Sequence, residues 1–95
     1  MQKILKFVLT PDAIQTIDMA PGSQVLRILP VEDNGPCLFA LCDMDQPRSH
    51  TRTFLLFGTN QDIEASVYPK VYIDTFVILA PEEKPLIVHV FEVTK

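Results

Sequence analysis

Short runs rich in Ile, Val, Leu, Phe and Thr recur along the 95-residue chain, punctuated by eight prolines at roughly ten-residue intervals. β-Branched and aromatic side chains suit a pleated, half-buried surface. Each proline removes a backbone donor and so argues against a helix interior or a central strand where it stands. The runs predict strands near 3–9, 15–19, 24–30, 36–42, 51–58, 71–79 and 86–93. This spacing, with turn residues between, is the signature of a compact single-domain antiparallel β-sandwich or small barrel of about seven short strands. The longest irregular stretch, 59–70, leaves room for at most one short helical turn near 60–67. Pro21-Gly22 and Asn34-Gly35 supply positive φ at little cost, and Asn-Gly is a strong hairpin signal.

The alternation also assigns faces. Leu5, Phe7 and Leu9 share one side of the first strand, opposite Lys6. In the last strand Ile87, His89, Phe91 and Val93 share one side, and Leu86, Val88 and Val90 the other. Val71, Ile73, Thr75, Val77 and Leu79 alternate with Tyr72, Asp74, Phe76 and Ile78. Several strands are therefore apolar on both sides, which requires covering layers or a partner subunit. A chain of this length has few spare layers, so a homo-oligomer is expected.

Composition narrows the classes of function. The chain is 47% hydrophobic with a net charge of −4, which excludes global disorder. Eight Lys and Arg against twelve Asp and Glu leave no overall basic field for general nucleic-acid binding. No apolar run reaches the ~18 residues that a membrane helix needs. The first nine residues, MQKILKFVL, are too short for a signal peptide, so the expected location is the cytoplasm. Cys37 and Cys42 lie on one strand, about 16 Å apart and on opposite faces at the usual rise. They cannot form a disulfide there, nor a structural zinc site alone, and read as buried small hydrophobes.

Templates for catalysis are missing: there is no GxGxxG, Walker loop, HExxH or GxSxG, and no cofactor or metal is expected. Asp43 to Arg52 is the most polar neighbourhood and admits three readings. It is a solvated turn with local backbone acceptors; or Asp43, Asp45 and His50 meet around a divalent cation; or Arg48, His50 and Arg52 clamp a phosphate or a partner carboxylate. His89, alone in an apolar strand, reads as a histidine satisfied by one hydrogen bond in or beside the core. Asp74 interrupts a core-like strand and reads as solvent-facing, with an interface or polar pocket as the other option. Tyr68 and Tyr72 read as core-packing rings, with stacking on a base as the alternative. The candidate contacts for a ligand or partner are thus Arg48, His50, Arg52, Tyr72 and Asp74.

Five segments occur in a familiar order: Lys3-Ile4-Leu5-Lys6-Phe7; Gly35 to Asp43; Arg52-Thr53-Phe54 with Gly58-Thr59; Tyr72 to Phe76; and His89-Val90-Phe91-Glu92. Over nearly the whole chain they resemble an uncharacterised family of small β-rich proteins encoded by tailed bacteriophages and prophages. Relatives in that family often carry Gly-His where this chain has Asn60-Gln61, and glycine where it has Asp74. The resemblance implies a phage accessory product with no catalytic residues to carry over. The leading expectation is a non-enzymatic binding protein of the bacterial cytoplasm. Its specific form is a counter-defence inhibitor that occludes a host immune protein or sequesters a small nucleotide signal. A structural virion or assembly component is the alternative, and a small metal-assisted hydrolase built on Asp43, Asp45, His50 and His89 is a third class.

Overall fold

A computed structural model describes residues 1–31, 33–64, 69–79 and 84–94. Seven strands form two antiparallel sheets: β1 (Gln2–Val8), β2 (Ile14–Met19), β3 (Gln24–Val31), β4 (Gly35–Asp43), β5 (His50–Gly58), β6 (Lys70–Ile78) and β7 (Leu86–Val93). Every strand bound lies within one residue of the sequence expectation. One sheet has the order β1-β4-β3 and the other β2-β5-β7-β6. The architecture is an all-β sandwich. Residues 60–64 contain no helix, and the rest of the expected helical turn lies outside the described residues, as do Tyr68 and the 80–83 part of the β6–β7 turn.

The core lies between the sheets and follows the period-two pattern. Leu38, Ala40 and Cys42 of β4 meet Phe54 of β5, Phe76 of β6 and Val88 and Val90 of β7, with Leu9, Met19 and Ile28 completing the buried cluster. Leu5 and Phe7 pack onto it from β1. Cys37 and Cys42 are both buried and unbridged, and only Cys42 belongs to the inter-sheet core. The shortest dimension of the molecule is 17 Å. Two sheets packed about 10 Å apart fill that thickness, and the described residues form no third layer. Among the described residues the outer faces have no continuous covering, and large apolar side chains remain exposed there, among them Ile4, Val8, Ile14, Leu29, Tyr72, Val77 and Ile87.

Local chemistry fixes the turns. Gln15 is buried in β2, where its Oε1 accepts from the Thr10 N–H and its Nε2 donates to the Thr10 and Asp12 carbonyls, which pins the β1–β2 connection. The hairpin at Asn34-Gly35 is present, but Asp33 and Gly35 take the positive φ angles, not Asn34. Pro30 and Pro36, the expected terminal residues of their strands, lie one residue inside the ends of β3 and β4 and face each other across the ladder. Opposed prolines fit a non-hydrogen-bonded pair, where neither backbone nitrogen is called on to donate across the β3–β4 ladder.

β6 departs from strict alternation. A bulge between Tyr72 and Asp74 leaves Ile73 unopposed, so Tyr72 pairs with Phe91, Asp74 with Val90 and Thr75 with His89. Tyr72 therefore shares the outer face with Thr75, while Asp74 turns inward with Phe76. The expected grouping of Tyr72 with Asp74 and Phe76 is corrected by this one extra residue.

Candidate binding surface

The outer face of the four-stranded sheet concentrates the aromatic and hydroxyl chemistry. Phe57 of β5 and Tyr72 of β6 both pack edge-on against Phe91 of β7, with ring centroids 5.9 and 5.7 Å away. Beside this ladder, His89 Nε2 lies 2.9 Å from Thr59 Oγ1 and His89 Nδ1 lies 3.1 Å from Thr75 Oγ1. Thr75 Oγ1 is in turn 2.8 Å from the Tyr72 hydroxyl. Whichever ring nitrogen carries the proton donates to its threonine, and the other accepts from the second hydroxyl, so both tautomers are satisfied. The histidine makes two side-chain bonds on an outer face, not the single one expected in or beside the core.

Tyr72 is 54% exposed and is not a core ring. Val77 and Ile87 extend the apolar surface on the same face. On the other flank, residues 61–64 lie along a cleft of about 280 Å³ shared with Ile14, Leu55 and Phe57. Leu55 points outward yet is only 4% exposed. The surface is thus a graded one, apolar and rigid at Phe57 and Phe91, polar at its His89–Thr75–Tyr72 centre.

The other candidates lie elsewhere. Arg48 stands over the Phe7 ring, 5.4 Å from its centroid, at the side of the sandwich where β1 and β2 run. His50 is exposed at the start of β5 and shares a polar cleft of about 370 Å³ with Arg52, Glu92 and Thr94. Arg52 is committed inside the fold. Its Nε and Nη2 donate to the two Glu92 carboxylate oxygens at 2.6 and 2.7 Å, and Nη1 donates to the Ser23 carbonyl. The Glu92 hydrogen bond raises the guanidinium pKa above its ordinary value, against the lowering effect of burial. Arg48 and Arg52 therefore do not converge on one anion.

Asp74 is also committed. Its carboxylate accepts from the Ile28 N–H of β3 at 2.8 Å and from the Thr75 N–H at 2.8 Å, with Arg27 Nε 4.0 Å away. Its side chain is 21% exposed, so the solvent-facing reading is replaced by a bridge between the sheets. In the Asp43–Arg52 segment, Asp45 pairs with the N-terminal ammonium and Asp43 accepts from the Asp45 N–H. Among the described residues no group of three or more His, Cys, Asp or Glu is placed to hold a metal ion. Of the five candidates, only Tyr72 joins the aromatic face; Thr59, Phe57 and Phe91 were not singled out. The outward parity of His89 and Phe91 was the signal available for them.

The fold and this surface define an all-β sandwich with one aromatic, hydroxyl-rich outer face. The chain belongs to the family described as Domain of unknown function (DUF7352), whose model matches residues 1–95. No curated protein and no solved structure matches it. Among the described residues no helix is long and apolar enough to cross a membrane.

Proposed function

We propose that the chain is a non-enzymatic protein-interaction module whose partner docks on the outer face of the four-stranded sheet. The observation that carries this reading is the Phe57–Phe91–Tyr72 ladder with His89 at its side, on a face that the described residues leave largely open. Tyrosine and other aromatic rings set in a rigid frame are the anchors that dominate binding energy at protein interfaces. The frame is rigid here because Phe91 is gripped from both sides and Tyr72 is held by Thr75. The acidic balance of the chain favours a basic partner surface. Taken with the resemblance to small phage-encoded proteins, the partner is a host protein of the bacterial cytoplasm, and occluding it is the function.

A photo-crosslinking side chain at position 72 should trap one protein of defined mass in bacterial cells, whereas the same group at exposed Thr10 should not. Against the purified partner, Tyr72→Ala should weaken binding by about 2 kcal/mol, near thirtyfold, while the variant remains folded with a modestly lower thermal midpoint from the lost ring contact with Phe91. Native mass spectrometry that instead finds a retained nucleotide and no protein overturns the reading.

A further inference from the structure

Four strands lie at sheet edges, β1 and β3 in one sheet, β2 and β6 in the other. An open edge is a template for another strand, and proteins blunt it with bulges, prolines, charges or a cover. β3 carries a bulge between Val25 and Arg27, Pro30, and the Asp74 carboxylate on its Ile28 N–H. β6 carries the bulge at Ile73. β2 is the shortest strand, at six residues, and its outward side chains include Asp18. Among the described residues β1 has no bulge, no proline and no cover, and its only charges are Lys3 and Lys6. It runs Gln2–Val8 in unbroken register against β4.

The phase of that pairing decides what the edge offers. The Met44 N–H donates to the Met1 carbonyl and the Leu9 N–H to the Pro36 carbonyl, so odd-numbered backbone groups face β4. The N–H and C=O groups of Gln2, Ile4, Lys6 and Val8 then point away from the sheet. Among the described residues nothing pairs with them. The same four residues place their side chains on the outer face, where Ile4 is 62% and Val8 51% exposed. Lys6, the charge best placed to guard the edge, donates instead to Asn34 Oδ1 at 3.0 Å.

We infer that β1 pairs antiparallel with β1 of a second copy across a two-fold axis, joining the two three-stranded sheets into one continuous sheet. The edge itself selects this occupant. Only even-numbered groups are available, and a two-fold must match even with even. Centring the axis at Leu5 sets Gln2 against the partner's Val8 and Ile4 against the partner's Lys6. All four positions are used and the two lysines stay apart. Centring it at Lys6 would oppose like charges. The side of the molecule beside β1 carries the cations Arg48 and Lys6 with the anion Asp18 among them, so only a small positive excess meets across the axis. A two-fold contact closes on itself, and the guarded β3 edge at the far side of the sheet stops further growth. This contact uses a different sheet from the proposed partner face and stands independently of it.

Ile4→Pro is the discriminating variant. It removes an outward N–H, blocks the added strand, and leaves the hydrogen bonds to β4 intact. Wild type should sediment as a dimer, and Ile4→Pro as a monomer with the same far-UV circular dichroism. A wild type that is monomeric at its highest soluble concentration overturns the inference, and so does a folded Ile4→Pro variant that stays dimeric. Should Ile4→Pro fail to fold, a cysteine pair decides. On oxidation, I4C/K6C should link two copies through a disulfide and I4C alone should not, because the native Cys37 and Cys42 are buried. No cross-link in the double variant, or an equal one in the single, overturns the pairing.

Discussion

Asp74 and Arg52 were both candidates for contact with a ligand, and both are turned to the fold's own needs. Ile28 sits in a non-hydrogen-bonded pair with Leu38, so its N–H faces out of β3, and Asp74 reaches across from β6 to accept it. Asp74→Ala leaves that donor without a partner and should cost about 1–3 kcal/mol in chemical denaturation, with faster hydrogen exchange at the Ile28 amide. Asp74→Asn keeps an acceptor and should cost less. Arg52 and Glu92 are only 16% and 14% exposed, so breaking their pair is more severe. Glu92→Gln strands a buried guanidinium and should cost about 3–5 kcal/mol, whereas the double change Arg52→Met with Glu92→Leu should recover most of that. A double variant no better than the single one would contradict this account. Because the folded-state pKa of Arg52 is raised, its contribution is complete below the unfolded value and is lost only as pH rises through the folded value, in strong alkali.

Element by element, the strands were legible because their signal is local: β-branched and aromatic residues in period two, with proline and glycine at the ends. The irregularities were not. A bulge adds one residue without a mark of its own in composition, and the one at Ile73 moved Tyr72 from the face of Asp74 to that of His89. The β3–β4 hairpin is intermediate between these cases. Asn34-Gly35 foretold a turn, but the positive φ angles fell on Asp33 at 75° and Gly35 at 73°. A Cβ at Gly35 would meet nothing within 4 Å, so the cost of Gly35→Ala is that of the backbone alone. Thermal or urea unfolding should show a loss of about 1–2 kcal/mol, the penalty of an L-residue in the left-handed region.

At the scale of the whole molecule, two sheets and a 17 Å thickness leave two outer faces on which the described residues build no further layer. The apolar excess seen in the sequence on both sides of several strands finds its physical meaning there. One sheet offers a smooth edge at β1 beside Ile4 and Val8; the other offers an aromatic face at Tyr72 and Phe91. The two are separable in experiment, since Ile4→Pro leaves the aromatic face intact and Tyr72→Ala leaves β1 untouched.

Alternation, propensity and turn chemistry act between neighbours, so the amino-acid sequence by itself determined the seven strands, the apolar side of β1 and the burial of both cysteines, while β4 and β7, apolar on both sides, left their inward faces open. Partnerships between distant residues belong to the tertiary structure, since strand order and register decide which side chains meet. Only they could bring Glu92 to Arg52, Asp74 to the Ile28 amide and Thr59 to His89, and only they could leave β1 as the plain edge of its sheet.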